Sequence, residues 1–189
     1  MNVYDFDNTI FRGDSTARFF AWSLRKCPRM LLDIPGQAFN GLLFILKLRE
    51  KKAFKQRMLS FVRFHGDISA AVETFWSKEI ERIKPWYRNA HREDDVIISA
   101  SPEFLLRPAC EKLGVRVVLA SPVDPKTGVF HGENCHGEEK VRRLESVFQD
   151  AQIDSFYSDS LSDAPLAALA KRAFLVKGDV LVEWPKTHR

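Results

Sequence analysis

Cysteine is scarce in this chain. Its 189 residues include three cysteines, Cys27, Cys110 and Cys135, which lie far apart along the sequence. Zinc sites usually show closely spaced cysteines, and disulfide frameworks usually show an even number of them. This sequence has neither pattern. We therefore expect reduced, mainly structural thiols and a cytoplasmic location.

Long hydrophobic runs are also missing. The most apolar stretch, residues 41–48, is far shorter than the roughly 20 residues that span a bilayer, and Pro35-Gly36 interrupts the approach to it. Charged Asp5 and Asp7 come almost at once, which argues against a signal peptide. We predict no stable membrane span, while peripheral contact with a membrane stays open.

Positive charge is concentrated in one segment. Residues 12–90 contain 16 Lys and Arg against 7 Asp and Glu, a balance of +9, whereas the whole chain has a net charge of +4. Such a segment favours an anionic partner such as a phosphate ester or a lipid surface, and a solvated helix face is an equal alternative. No nucleic-acid partner is expected, because the basic residues form no recognisable module.

One strand precedes a helical block, and strands alternate with helices after it. Residues 2–5 read as a buried strand, and residues 15–88 have helical periodicity. Apolar strands then follow at residues 96–98, 115–119, 155–158 and 173–176, with helices between them, the last at residues 163–171. This order predicts an α/β fold, a doubly wound, mostly parallel sheet with an inserted all-helical cap.

The boundaries follow from this pattern. We expect a catalytic core from residues 1–11 and 91–189 and a cap from residues 12–90. Within the cap, Pro35-Gly36 is expected to end a helix, and the apolar stripe at residues 39–48 is read as cap core. A membrane-facing or acyl-chain-binding stripe is the alternative.

Polar side chains follow three of the predicted strands. Asp5 and Asp7 follow the first, Ser99 the second and Asp159 a later one, while Lys140 begins a helix. Ligands of such sheets bind beyond the carboxyl ends of the strands, so these residues are expected to meet in one crevice.

Their chemistry fits phosphoryl transfer. Crowded carboxylates repel one another, and a hard cation with oxygen ligands, Mg²⁺, would relieve that repulsion. Asp5 could then attack phosphorus, and Asp7 could act as general acid and base. Lys140 could offset the developing charge. Ser99 could donate to a phosphoryl oxygen, Asp159 could bind the cation, and Asp163 could hold the cation's water or orient Lys140.

These residues resemble the four motifs of the haloacid dehalogenase-like superfamily. The motifs are Asp5-Phe-Asp-Asn-Thr9, Ser99, Lys140 and Asp159-x-x-x-Asp163, and an insertion after the first motif is similar to the phosphoserine-phosphatase-like branch, subfamily IB. The resemblance implies a Rossmann-like core, Mg²⁺ dependence and a phosphoaspartate on Asp5.

The same resemblance assigns roles to single residues. It implies that the Asp5 and Asp159 carboxylates and the Asp7 backbone carbonyl bind the metal. Thr9, Ser99, Ala100 and Lys140 are predicted to bind phosphate, and Asp163 to support Lys140. Asp14 lies where that branch has an acidic residue facing the substrate, although a helix cap explains it equally well.

Two departures from that branch bear on the substrate. The second motif is Ser99-Ala100-Ser101 instead of Ser-Gly-Gly, and Ser162 replaces the usual Asn before Asp163. The phosphoryl-transfer residues stay in place, so we predict a phosphatase for a phosphorylated small molecule or lipid. The alternatives are a membrane-surface lipid phosphatase similar to phosphatidylglycerophosphatases and a non-catalytic phosphate-binding protein. The sequence gives no oligomeric state.

Overall fold

A six-stranded sheet forms the centre of the computed structural model, which describes residues 1–150 and 152–185, with the backbone alone at residue 51. The spatial order of its strands is β3-β2-β1-β4-β5-β6. The first five strands are mutually parallel, and β6 pairs antiparallel with β5. The strands are β1 (Asn2–Tyr4), β2 (Val96–Pro102), β3 (Val117–Ser121), β4 (Ile153–Ser158), β5 (Ala170–Lys177) and β6 (Val180–Glu183).

Helices cover the sheet and fill the segment between β1 and β2. Five of them follow β1, and the others alternate with the later strands. The helices are α1 (Ser15–Lys26), α2 (Ile34–Ile45), α3 (Lys51–Leu59), α4 (Ile68–Glu79), α5 (Pro85–Ala90), α6 (Glu103–Lys112), α7 (Glu138–Val147) and α8 (Ala164–Ala167). The predicted α/β fold, with an all-helical insertion after the first strand, is confirmed.

The strand order places a crevice at β1. From β1 the chain builds outward through β2 and β3, then returns to the other side of β1 with β4 and β5. Adjacent crossovers on opposite sides of a strand leave a gap at its carboxyl end, which is where doubly wound folds bind ligands. The loop that follows Tyr4 therefore lies at the ligand-binding edge of the sheet.

Two hydrophobic clusters lie on opposite faces of this sheet. Side chains of a strand alternate between faces, so Tyr4 and Ile97 join one cluster while Val3 and Ile98 join the other. The first cluster extends into the inserted helices, where Trp76 is fully buried. The inserted segment therefore shares its core with the sheet. The domain boundaries at residues 12–90 stay a prediction.

Aromatic contacts join the insertion to the first loop. The Trp76 ring meets the Phe6 and Phe11 rings at centroid distances of 5.8 Å and 5.3 Å, both edge to face. Its Nε1 donates a 2.6 Å hydrogen bond to the carbonyl oxygen of Leu105 in α6. One side chain thus ties α4 to the loop after β1 and to a helix that covers the sheet.

Two local predictions of where a helix ends were wrong, and one strand was missed. Pro35 lies in the first turn of α2, where its missing N–H costs no hydrogen bond, instead of ending a helix. The helix predicted at residues 163–171 is only α8, because Ala170 already pairs in β5 and strand pairing overrides the helix propensity of the alanines. Strand β6 was missed, since its apolar residues lie exposed at the sheet edge.

Truncation of Trp76 tests whether the inserted helices stabilise the sheet. We expect Trp76→Ala to lower the free energy of unfolding by about 3–5 kcal/mol, because it leaves a large cavity among buried rings. Urea unfolding measures this change. Val147→Ala, at an exposed position of α7, is the control and should change stability by less than about 0.5 kcal/mol. A loss below about 1 kcal/mol for Trp76→Ala would contradict the shared core.

Candidate active site

A cavity of about 420 Å³ opens at the carboxyl ends of the parallel strands. Its wall includes residues that follow β1 and β4, the carboxyl end of β2 and residues from the inserted helices. Most of the predicted site residues line it: Asp5, Asp7, Asp14, Ser99, Ala100, Lys140, Asp159 and Asp163. The remaining one, Thr9, is buried beside Asp5. The fold therefore gathers residues that are far apart in the sequence.

A buried ion triad lies at the centre of this wall. The Nζ atom of Lys140 donates to Oδ1 of Asp5 at 2.8 Å and to Oδ2 of Asp163 at 2.7 Å. Asp5 comes directly after β1, Lys140 from the first turn of α7, and Asp163 from the short 3₁₀ turn after β4. The Ser158 hydroxyl donates to the same Oδ2 of Asp163 at 2.7 Å. One ammonium group thus fixes three segments of the chain.

The triad resolves an electrostatic conflict. Burial raises the pKa of Asp5 to about 6, although the positive charge of Lys140 opposes that rise. Burial also lowers the pKa of Lys140, but the charges of Asp5 and Asp163 outweigh it and hold this pKa above its ordinary value. Lys140 is therefore charged at neutral pH, and it is the cation that makes two buried carboxyl groups tolerable.

The loop after Asp5 is shaped by Asn8 and Thr9. Asn8 has a left-handed backbone conformation, with φ of 55°, which asparagine tolerates better than most residues. The Thr9 hydroxyl lies 3.4 Å from Oδ2 of Asp5 and accepts a 2.9 Å hydrogen bond from the backbone N–H of Asp159. Thr9 thereby links the loops that carry Asp5 and Asp159.

Lys84 also stabilises the loop after Asp5, and the sequence analysis did not identify this residue. Its Nζ donates to the carbonyl oxygens of Asn8 and Gly178, both at 2.5 Å. The residue is buried, and burial lowers the pKa of its side chain. A lysine before Pro85 in a basic segment gave no signal of this position.

Asp7 is held by two donors on the cap side of the cavity. The Ser15 backbone N–H donates to its Oδ1 at 2.7 Å, and the Ser101 hydroxyl donates to its Oδ2. Burial, with a further contribution from the charge of Asp14, raises the pKa of Asp7 to about 7. A carboxyl group with this pKa can both give and take a proton near neutral pH.

Ser101 is a second residue that sequence reasoning missed as a site residue. Its hydroxyl also lies 3.0 Å from Oγ1 of Thr16, and its backbone N–H donates to Oγ of Ser99 at 3.2 Å. It occupies the place where the resembling branch has glycine, and this departure was the available signal. Its side chain joins the second motif to Asp7.

Asp14 lies at the N-terminus of a helix, as the helix-capping interpretation of this residue predicted. Its Oδ1 accepts a 2.8 Å hydrogen bond from the Ala17 backbone N–H, so Asp14 is the N-cap of α1. It also lines the cavity. Both interpretations of this residue therefore fit its position.

An apolar wall faces the polar one. Side chains of the inserted segment and of the loop before α7 supply it: Phe20, Phe54, Met58, Leu59, Phe61 and Phe130. The sequence analysis did not single out any of these residues as part of the site.

Comparison with known proteins identifies the family of this chain. The family model described as haloacid dehalogenase-like hydrolase matches residues 3–168. The chain belongs to this family. The predicted membership is confirmed, and the triad described above lies within the matched residues of this haloacid dehalogenase-like hydrolase.

Curated relatives cover nearly the whole hydrolase. Protein CicA of Caulobacter vibrioides is 25% identical in an alignment of 183 positions, which covers 89% of this chain and 82% of CicA. A histidinol-phosphatase of Neisseria meningitidis serogroup C is 23% identical in an alignment of 206 positions, which covers 96% of this chain and 91% of the phosphatase.

Solved structures share the fold of the hydrolase. A protein of unknown function from Bordetella pertussis Tohama I has a TM-score of 0.74 at 18% identity. The superposition covers 92% of this chain and 87% of the Bordetella chain. A phosphoserine phosphohydrolase-like protein from Francisella tularensis has a TM-score of 0.52 at 15% identity, covering 92% and 86%. The hydrolase therefore shares its fold with a protein described as phosphoserine phosphohydrolase-like.

Phosphatases of this family generally depend on Mg²⁺. The donor atoms at the crevice suit such an ion, because the Asp5 and Asp159 carboxylates both line the cavity and carboxylate oxygen is a hard ligand. Burial raises the pKa of Asp159, and the charge of Asp159 contributes to the raised pKa of Asp5. A cation near both carboxylates would therefore reduce the repulsion between them. Within the described residues, three His, Cys, Asp or Glu side chains nowhere converge on one metal-sized site. Any ion here would need a ligand of another kind.

Removal of the Lys140 charge tests the triad. We expect Lys140→Met to lower the free energy of unfolding by about 3–5 kcal/mol, because two buried carboxylates then lack their cation. Urea unfolding in metal-free buffer at neutral pH measures the loss. The matched control is Lys112→Met, whose ammonium pairs with Glu73 on the surface and should contribute less than about 1 kcal/mol. Equal losses for the two variants would show that the triad is no more than a surface pair.

Proposed function

We propose that this hydrolase is a Mg²⁺-dependent phosphomonoester phosphatase that forms an aspartyl-phosphate on Asp5. One observation carries the proposal, the buried bridge from Lys140 to Asp5 and Asp163 beside Asp7 in one cavity. A carboxylate fixed by a cation, with a carboxyl group of pKa about 7 two residues on, suits nucleophilic attack on a phosphate ester.

In the first step, an Asp5 carboxylate oxygen attacks phosphorus and forms a new O–P bond. The bond from phosphorus to the ester oxygen breaks, and that oxygen leaves with the proton of Asp7. The backbone N–H of Ser15 and the hydroxyl of Ser101 hold the two Asp7 oxygens, so the acid is fixed before the substrate binds. Fixed geometry lowers the entropic cost of proton transfer.

In the second step, Asp7 takes a proton from a water molecule, whose oxygen attacks phosphorus. The Asp5–phosphorus bond breaks, inorganic phosphate leaves, and the Asp5 carboxylate is restored. The proton that Asp7 gave in the first step is thus recovered in the second, and the enzyme returns to its starting state.

Charge on the phosphoryl group is offset by several groups of the chain. We assign Lys140, Ser99, Thr9 and Ala100 to phosphate binding, since Ser99, Ala100 and Lys140 line the cavity and Thr9 contacts Asp5. Asp163 acts through Lys140, whose Nζ it fixes at 2.7 Å.

The cation would be held by the Asp5 and Asp159 carboxylates and by the backbone carbonyl of Asp7. When bound, Mg²⁺ neutralises phosphate oxygens so that an anionic nucleophile can approach. Two carboxylates and a carbonyl agree with the absence of a three-carboxylate cluster among the residues that the structure describes.

The inserted segment would act as the cap that recognises the leaving group. In this proposal residues 1–11 and 91–189 form the core, residues 12–90 form the cap, and Asp14 faces the substrate while it caps α1. The cytoplasmic location stays a prediction, and no nucleic-acid partner is proposed.

The apolar wall favours one group of substrates. Aromatic and aliphatic side chains such as Phe54, Met58 and Phe61 suit an ester whose alcohol carries an apolar part, and they offer little to the charged groups of phosphoserine. A lipid phosphate ester is therefore the second candidate substrate class, beside small esters such as the one named for the Neisseria relative.

Replacement of the nucleophile tests the proposed reaction. We expect Asp5→Asn to abolish hydrolysis of a chromogenic phosphate ester, because an amide cannot accept the phosphoryl group. Asp7→Asn should lower kcat by about 10²–10⁴. Steady-state assays with Mg²⁺ measure both effects.

The controls separate this proposal from a non-catalytic phosphate-binding protein. Asp154→Asn, at a surface carboxylate that pairs with Lys171, should leave the rate unchanged. A chelator should stop the wild-type reaction, and added Mg²⁺ should restore it. Absence of wild-type hydrolysis with Mg²⁺, or full activity of Asp5→Asn, would overturn the proposal.

The apolar wall is tested by a second variant. We expect Phe54→Ala to raise KM for a long-chain alkyl phosphate about tenfold, because apolar contact with the chain is lost. The KM for phosphoserine should change less than about twofold. Equal effects on both substrates would show that Phe54 shapes the cavity without recognising the alcohol.

A further inference from the structure

Helix α2 has its polar side toward the protein and its apolar side toward solvent. Its buried residue is Asn40, which is 2% exposed, whereas Phe39 and Ile45 are 60% and 76% exposed. A surface helix of a globular protein normally has the reverse arrangement. The prediction that residues 39–48 form cap core was therefore wrong for most of the stripe.

The exposed apolar residues lie within one short segment, residues 31–48, and we call them the α2 patch. It includes residues of the short turn before α2 and residues after the helix. Leu32 in that turn is 85% exposed, and Leu48 after the helix is 72% exposed. The α2 patch consists of Leu31, Leu32, Ile34, Phe39, Leu42, Ile45, Leu46 and Leu48. Single exposed leucines are ordinary, but eight large apolar residues within 18 positions are not.

Specific contacts hold α2 in this orientation. Asn40 donates from Nδ2 to the carbonyl oxygen of Phe54 at 3.2 Å, and Gln37 donates from Nε2 to that of Arg57 at 2.9 Å. The Phe44 ring stacks on the Phe54 ring at a centroid distance of 4.4 Å. Rotation of α2 to bury its apolar side would break these hydrogen bonds, so the outward patch is a built feature of the fold.

The charge around the α2 patch is positive. Residues 25–49 contain five basic residues, Arg25, Lys26, Arg29, Lys47 and Arg49, against the single acid Asp33. Asp33 already pairs with Arg57 at 2.5 Å and Arg63 at 3.3 Å. The patch therefore combines apolar side chains with a net positive rim.

We propose that the α2 patch docks on the surface of a bilayer that contains anionic lipids. Apolar side chains can enter the boundary between headgroups and acyl chains, and basic residues attract anionic headgroups. Among the described residues, no helix is long and apolar enough to cross a membrane, so the fitting geometry is a helix lying in the interface. A second copy of the chain fits less well, because it would bring the same basic rim against this one.

Docking here would bring the membrane close to the candidate active site. Phe54 stacks on Phe44 of α2 with one face of its ring and also lines the cavity. Phe54 of α3 therefore connects the helix of the α2 patch to the apolar wall. Membrane binding itself requires no catalysis, so it stands independently of the proposed phosphatase reaction.

Vesicle co-sedimentation tests this surface. The full chain is mixed with vesicles of phosphatidylcholine and phosphatidylglycerol, or of phosphatidylcholine alone, and the pelleted protein is measured. We expect binding to the anionic vesicles that weakens as salt increases. Asp5→Asn should bind equally well, because the readout does not depend on hydrolysis.

Matched variants locate the binding surface. Leu32→Asp and Ile45→Asp should each lower vesicle affinity about tenfold or more, since each removes apolar contact and adds a repelled charge. Val147→Asp is the control, because Val147 is an exposed apolar residue of α7. Leu144 of the same helix belongs to the hydrophobic cluster on the sheet face opposite the inserted helices. The control variant adds the same charge and should bind with nearly wild-type affinity. Circular dichroism confirms that each variant is folded.

Three results would overturn the proposal. The first is no binding of the wild-type chain to anionic vesicles, and the second is equal losses for Ile45→Asp and Val147→Asp. The third is a dimer in sedimentation velocity that Ile45→Asp dissociates while vesicle binding is absent, which would assign the α2 patch to a second copy of the chain.

Discussion

A single buried ammonium group is the constraint on which the rest of the site depends. Lys140 lies between Asp5 and Asp163, and burial makes either carboxylate costly without it. Because the three residues come from the first loop, from α7 and from the turn after β4, the charge pairing also sets where those segments meet. The triad is thus a structural arrangement, and in the proposed function it is also a catalytic one. The order of strands around β1 makes it possible.

The sheet and the meeting of the site residues at its edge could be predicted, because short apolar runs mark the strands in the sequence. Apolar strands end at Asp5, Ser99 and Asp159, and parallel strands place such ends at one edge. The exposed side of α2 could not be predicted, since periodicity shows that a stripe is apolar but not which way it faces. Ser101 and Lys84 were missed for a related reason, because their partners Asp7 and Asn8 are distant in sequence.

The inserted helices connect the site to the outer surface. Trp76 ties them to the loop that follows β1, and Phe54 belongs at once to the cavity wall and to the contact with α2. The polar half of the cavity comes mainly from the sheet edge, and the apolar half comes mainly from the insertion. The division suits an enzyme whose core handles the phosphoryl group while the insertion selects the alcohol.

The phosphoryl group itself offers the most direct test of the account. Wild-type protein is quenched with acid during turnover of a phosphate ester, digested with pepsin at low pH, where an acyl phosphate survives, and analysed by mass spectrometry with fragmentation. The account predicts one phosphoryl group on Asp5, lost when the substrate is exhausted. A phosphoryl group on Asp7 or on another residue, or none during confirmed turnover, would contradict it.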